Sequence, residues 1–396
     1  MFDLIPFSFS DKSSVLLIFF LNLGILAVLL FRKWIINKEK SELWVASFTI
    51  LCALYISPFM FGYAGWYTKD LYQDILFYLP LQQLLLIGPV IYFYIQFLLR
   101  PIQRLHIADL YHFAPAILYN LFILVVFIND IVIESDYYFY ADGMDMDLDP
   151  WYQWAGLFSM TGYLILALRH YNRYKKLALN TLSYADDLLY NWAQQFLYVF
   201  LVLLILRVLF FILNPEWGEF GSKYWYYVSF SILALYLSFR GYLHSVQMEA
   251  GSKAIQFSPI DASVLLTEPS NDVSETSILE NKEYLVGLLE KVENEIEDDK
   301  LYLNPRLTVT ELSGQVGIHQ KEISNAINAL SGMNFNDWVN KYRVGEVIER
   351  FKKGEGASLT VLGIAMECGF NSKSTFNRAF KKQTGKTPVE YLKTLK

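Results

Sequence analysis

The chain has 396 residues, of which 54% are hydrophobic and only 18% charged, and its mean hydropathy is +0.28. Soluble globular chains carry about 25% charged residues, so this composition excludes a disordered, collagen-like or disulfide-scaffold protein and leaves a membrane protein, alone or joined to a soluble part. The net charge of −6 hides a split: residues 301–396 hold fourteen Lys/Arg against eight Asp/Glu and are +6, which leaves −12 on the remainder.

A transmembrane helix needs about 20 mostly apolar residues. Seven stretches qualify, at roughly 13–31, 42–62, 74–99, 110–128, 151–168, 192–213 and 224–239. They are apolar all round, whereas a soluble core helix shows a polar stripe. Loop charge predicts the orientation. The first loop carries Arg32, Lys33, Lys38 and Lys40, the third Arg100 and Arg104, and the fifth Arg169, Arg173, Lys175 and Lys176. The second and sixth hold one basic residue each, Lys69 and Lys223. The fourth has none, and it carries Asp130, Glu134, Asp136, Asp142, Asp145, Asp147 and Asp149. Odd loops are thus expected inside and even loops outside, with the N-terminus external and everything after Arg240 cytoplasmic. Trp66, Tyr67, Trp151, Trp154, Trp217, Trp225 and Tyr226 all fall at the expected outer boundary, as belt aromatics do. The first span is expected to remain as an anchor, because its positive charge follows the apolar run instead of preceding it.

Residues 241–277 read as a cytoplasmic linker, with a flexible tether at 258–276 that contains Pro259 and Pro269. Over 249–300 the chain holds thirteen acidic and four basic residues. Within 278–300, Leu285, Leu288, Leu289, Val292 and Ile296 recur at three- and four-residue steps and predict an amphipathic helix. Its apolar stripe suits packing on the tail domain or pairing with a second copy of the chain.

The tail contains an internal repeat. Leu312-Ser313-x-x-Val316-Gly317-Ile318 matches Ile364-Ala365-x-x-Cys368-Gly369-Phe370. Each copy predicts a short helix with a small inward residue, a glycine where the chain turns sharply, and a second amphipathic helix. This is the helix-turn-helix pattern, expected at about 308–330 and 360–384. Thr308 and Glu311 form a capping box, and Leu307 and Leu312 stand at hydrophobic-staple positions. The second helix is anchored by Ile323, Ala326 and Ile327 in one copy and by Phe376, Ala379 and Phe380 in the other. Between the copies, 336–353 reads as one helix capped by Asn336 and ended by Gly354. Trp338, Val339, Tyr342, Val347, Ile348 and Phe351 supply its buried side. It would span about 27 Å, close to the ~34 Å between successive major-groove faces.

The last hundred residues resemble the AraC family of bacterial transcription regulators. The resemblance rests on the two ordered motifs, on Gly369-Phe370, on Phe376-x-x-x-Phe380-Lys381 and on the ending Gly385-x-Thr387-Pro388-x-x-Tyr391. In the first copy, Ile327-Asn328 stands where the family commonly has Phe-Lys. The resemblance implies double-stranded DNA as partner. It places Lys321, Ser324 and Asn325 of the first copy, and Lys373, Ser374, Asn377 and Arg378 of the second, toward the groove. These residues lie opposite the apolar anchors. Arg378 suits a bidentate contact to guanine, and Asn325 or Asn377 one to adenine. Lys381 and Lys382 suit phosphate, or equally the C-terminus of their own helix. An ordinary solvated helix face is the bland alternative.

Polar residues inside membrane spans are costly and often functional. Gln82 and Gln83 fall in the third expected span, Asn120 in the fourth and Arg207 in the sixth. They suit either a pocket that receives a small-molecule or protein signal from outside, or hydrogen bonding between helices. Gly88-Pro89 is expected to kink the third span. Cys52 and Cys368 make no disulfide framework. The five histidines lack metal-ligand spacing, and no P-loop is present, so no metal, cofactor or catalytic residue is expected.

The expected fold is therefore all-α: a seven-helix transmembrane bundle over 1–240, followed by a cytoplasmic helical domain at 301–396. The expected function is DNA-binding transcription regulation from the bacterial inner membrane, with lipid and DNA as partners and a homodimer compatible with the sequence. A transporter or membrane enzyme whose tail is a protein-interaction module is the alternative. The basic tail and the intact repeat argue against it.

Overall fold

The computed structural model describes residues 7–68, 70–99, 105–133, 138–140, 146–188, 191–211, 223–251 and 282–395. The expected tether at 258–276, the basic residues Lys69, Arg100 and Arg104, the acidic residues Glu134, Asp136, Asp142 and Asp145, and Trp217 lie outside them. The described residues are helical and hold no strand beyond one isolated bridge. The chain divides into two compact units. One comprises Met1–Tyr171 with Asn191–Gln256, and the other Asn172–Tyr190 with Phe257–Lys396.

In the first unit, α1 (Asp11–Asn37) begins at a reciprocal capping box between Ser10 and Ser13 and ends at Lys38 in the left-handed conformation. It packs beside α2 (Lys40–Tyr63), which also meets α4 (Leu84–Leu99) and α9 (Tyr224–Gly251). Helix α2 is central: 72% of its most apolar stretch is buried, against 28% for α1 and 33% for α8 (Asn191–Phe211). The outward faces of α1 and α8 remain apolar, with Ile18, Ile25, Val28, Val202 and Ile205 exposed. Helix α5 (Ala114–Phe127) does the same with Leu118, Leu121 and Val125.

Among the described residues, four helical stretches are long and apolar enough to cross a membrane: Asp11–Asn37, Lys40–Tyr63, Ile107–Ile133 and Asn191–Phe211. The expected seven is thus reduced to four by this measure, for two reasons. The third expected span is broken into α3 (Asp70–Tyr78) and α4, where one continuous run was expected. Proline disfavours helix at the residue before it and offers no N–H, so Pro80 ends α3 near Leu79. Two amide nitrogens beyond the break reach side-chain acceptors: Gln82 N donates to the Asp147 carboxylate (2.9 Å) and Leu84 N to the Tyr152 hydroxyl (3.1 Å). The break therefore lies at 79–83, and α4 runs on through Gly88 and Pro89. The second reason is composition. Helices α6 (Pro150–Thr181, 32 residues) and α9 (28 residues) are long, but Trp, Tyr, Gln, Ser and Gly dilute their apolar runs.

Both overrun their expected ends. Leu177, Ala178 and Leu179 extend α6 as good helix formers, and no proline or glycine intervenes. Likewise α9 continues to Gly251, so the linker expected from 241 is helical over its first eleven residues.

In the second unit, the end of α6 and the short helix α7 (Ala185–Leu188) accompany the tail helices. These are α10 (Lys282–Asp298), α11 (Val309–Val316), α12 (Gln320–Ser331), α13 (Phe335–Lys352), α14 (Val361–Glu367), α15 (Lys373–Thr384) and α16 (Pro388–Thr394). Helix α10 turns Leu288, Val292 and Ile296 onto α11 and α12, so its stripe is covered within the chain. Two small apolar cores result, and α13 serves both. Its first half gives Phe335, Trp338 and Val339 to the core of α10–α12; its second half gives Val344, Val347 and Phe351 to that of α14 and α15. The N-cap of α13 is Asn334, not Asn336: the Asn334 side chain accepts from Asp337 N at 2.8 Å. Asn336 lies two residues further in and is buried, where its Oδ1 accepts from Asn340.

Candidate nucleic-acid interface and buried polar network

Local rules position the two helix pairs of the tail. Thr308 and Glu311 close a reciprocal capping box at the start of α11. Gly317 follows in the left-handed conformation (φ 71°), which costs glycine little and other residues more. In the second pair Thr360 caps α14, Gly369 (φ 90°) makes the turn, and Ser372 caps α15 through Thr375 N at 3.2 Å. Each second helix buries its expected anchors: Ile323, Ala326 and Ile327 in α12, and Phe376 and Phe380, with Ala379 half-buried, in α15.

The opposite faces carry the polar set. On α12, Lys321, Ser324 and Asn325 are half-buried; on α15, Lys373, Ser374, Asn377, Arg378, Lys381 and Lys382 are exposed. They are not all solvated side chains. Ser324 Oγ donates to the carbonyl of Asn180 at 3.0 Å, and Arg378 forms an ion pair with Asp186. Ser374 Oγ lies 3.1 Å from Ser372 Oγ. Lys382 Nζ sits 2.8 Å from the Asp337 carboxylate on α13, an interaction neither expected role for it had included. Lys381 stands with Lys382 in the last turn of α15, where a cation favours the helix C-terminus.

One basic residue of the tail is structural. Arg343 is 1% exposed and donates to the carbonyls of Tyr302 (2.8 Å), Asn304 (2.8 Å) and Ser183 (3.1 Å), to Ser183 Oγ (2.9 Å) and to Asn340 Oδ1 (3.3 Å). Counting charge in the sequence assigns Arg343 to the basic surface. Its place among Val339, Val344 and Val347, on the buried side of α13, was the signal that it points inward.

In the first unit the singled-out polar residues meet in two groups. Arg207 is buried. It donates to the Tyr55 hydroxyl at 2.6 Å and to Gln153 Oε1 at 2.7 Å. Gln153 donates to Gln82 Oε1 at 3.0 Å, and Gln82 donates to Tyr55 O and the Tyr227 hydroxyl, each at 3.2 Å. Asp147 joins this network from outside the apolar spans: it accepts from Gln82 N and from the Tyr119 hydroxyl. Burial pushes its carboxyl up to about 6 although the hydrogen bonds it accepts, from Tyr119 first, pull it down. The second group is the reciprocal pair Gln83 and Asn120, at 3.0 Å in both directions. The cavity beside Arg207 is lined by Cys52, Ile87, Met160, Leu203 and Phe230 and is mostly apolar. Sequence reasoning used Asp147 only as one of the acidic residues of the fourth loop and gave Gln153, Tyr55, Tyr119 and Tyr227 no role, because each is ordinary until the fold gathers it.

A family model described as a helix-turn-helix domain matches residues 312–394. The chain is similar to Probable transcription factor PqrA of Proteus vulgaris, at 25% identity over 94 residues, which cover 24% of this chain and 75% of that one. No solved structure matches the chain. The tail thus holds a helix-turn-helix domain, and both findings support the AraC-like reading of it.

Proposed function

We propose that the chain is a membrane-tethered, sequence-specific DNA-binding transcription regulator of the bacterial inner membrane, with its N-terminus outside and its tail in the cytoplasm. The carrying observation is the pair of glycine-turned helix units sharing α13, inside a segment matched to a helix-turn-helix domain. The apolar outward faces of α1, α5 and α8 support the tether, since large exposed apolar patches mark an apolar partner. In this reading seven crossings are made by α1, α2, the broken α3–α4, α5 with its flanking turns, α6, α8 and α9. The membrane part receives an external signal, and no catalytic step is assigned.

On DNA, α12 and α15 enter the major groove. Lys321, Ser324, Asn325, Lys373, Ser374, Asn377 and Arg378 face it, and Lys381 and Lys382 neutralise phosphates. Both apolar cores lie within 285–392, so a fragment of residues 276–396 holds both of them entire. Selection of this fragment against a random duplex pool is expected to yield a preferred site, with binding that weakens steeply with salt. Arg378→Ala is expected to cost about 1–3 kcal/mol on the preferred site and to relax one base position. Lys382→Ala is expected to weaken preferred and scrambled sites alike and to flatten the salt slope. Failure of the fragment to bind any duplex would overturn the reading.

A further inference from the structure

Residues 180–186 reach both candidate reading helices. They belong to the same compact unit as the tail. Leu182, Ser183 and Ala185 are fully buried, and Tyr184 nearly so. The backbone holds the segment in place: Ser183 N donates to Leu307 O at 3.1 Å, and Leu182 forms an antiparallel bridge with Thr308. Arg343 grips Ser183 through its carbonyl and its hydroxyl. From this anchorage, Asn180 takes up Ser324 of α12, and Asp186 takes up Arg378 of α15. One side chain from each helix pair is thereby occupied by the same seven residues.

We propose that residues 180–186 are an autoinhibitory strap that occupies the DNA-reading face, so that the closed chain cannot seat on a duplex. This rests on the DNA-binding reading above. The chemistry is that of a competitor. The Asp186 carboxylate offers Arg378 the acceptor that guanine or phosphate would offer, and it would repel any phosphate brought beside it. Asp186 is 10% exposed in its side chain while Arg378 is 58% exposed, so the strap contributes the buried partner of the ion pair and the reading helix the exposed one. The strap begins in the last turn of α6, which ends at Thr181, and runs through a turn at 182–184 into α7.

The test uses the full-length chain in nanodiscs and a duplex selected with the 276–396 fragment, which lacks the strap. Asp186→Asn is expected to tighten binding several-fold, on the order of fivefold, as for loss of one partly exposed ion pair. Asp299→Asn, an exposed change of equal charge, is expected to leave binding unchanged. The pair Leu182→Cys and Thr308→Cys places two thiols across an antiparallel bridge, where Cα spacing suits a disulfide. Oxidised, this variant is expected to lose binding; reduced, to regain it. Equal affinity of the parent, Asp186→Asn and the oxidised variant would overturn the strap and leave DNA binding standing. If neither the fragment nor any variant, oxidised or reduced, binds a duplex, the DNA-binding reading falls and the strap falls with it.

Discussion

The backbone of Gly369 lies directly against the carbonyl of Tyr302, so that a Cβ on Gly369 would stand 2.7 Å from that oxygen. The same Cβ would lie 2.9 Å from Leu303 O and 3.0 Å from Arg343 Nε. Gly317, the equivalent turn of the first pair, has no atom within 4 Å of such a Cβ. Both glycines have positive φ, which costs an L-residue about 1–2 kcal/mol. Gly317→Ala is expected to lose about that much stability in the 276–396 fragment. Gly369→Ala is expected to lose clearly more, because two backbone oxygens cannot move aside as a flexible side chain would. Denaturant titration of the two variants checks this, and equal losses would remove the close approach from the explanation.

Arg343→Met keeps much of the side-chain volume and removes every donor. The carbonyls of Tyr302, Asn304 and Ser183 then lose a hydrogen bond each, and a buried unmet acceptor costs about 1–3 kcal/mol. Arg343→Lys is expected to rescue little, since one ammonium cannot reach acceptors spread around a planar fork. The temperature at which the tail of the full-length chain becomes protease-sensitive is expected to fall in both variants, and further in Arg343→Met.

Asp147 makes stability depend on pH in a fixed direction. Its carboxyl is raised to about 6 by burial, whereas an unfolded aspartate titrates near pH 3.9. The folded chain therefore holds this proton more tightly. The stabilisation is complete below about pH 4 and is lost as pH rises through about 6. Asp147→Asn is expected to flatten the melting profile of the detergent-solubilised protein across that window. A variant profile with the parent's slope would assign the dependence to another group.

The proposed topology places the loop after α5 outside and the end of α6 inside. Reporter fusions at Asp145 and Lys176 are expected to show opposite sidedness. The same side for both would end the seven-crossing arrangement and the cytoplasmic tail with it.

Much of the tail was legible because its signals are local. A capping box needs Thr308 and Glu311 three residues apart, a turn needs glycine at Gly317 and Gly369, and the anchors of α12 and α15 recur at helical spacing. Where local signals compete, the reading slipped. Asn336 reads as the cap of α13, but the helix starts earlier, at Phe335, whose burial in the core leaves Asn334 as the cap. The third apolar run likewise conceals its break: Pro80 is visible, but the side-chain acceptors for the amides of Gln82 and Leu84 come from Asp147 and Tyr152, some 65 and 68 residues away.

By itself, then, the sequence determined what short-range chemistry decides: an all-helical chain, apolar runs ahead of a basic tail, and a tail built from two capped, glycine-turned helix pairs. Only the tertiary structure decided which polar groups meet. Arg343 reads as one more surface cation until it is buried beneath Tyr302 and Ser183. Arg378 reads as a free base-contacting residue until Asp186 is set against it. Each of these contacts joins residues more than forty positions apart or on different helices, and side-chain type carries no record of such a partner. The physical reason is that capping and helical periodicity act over three or four residues, whereas a buried hydrogen bond or ion pair exists only once the chain has closed on itself.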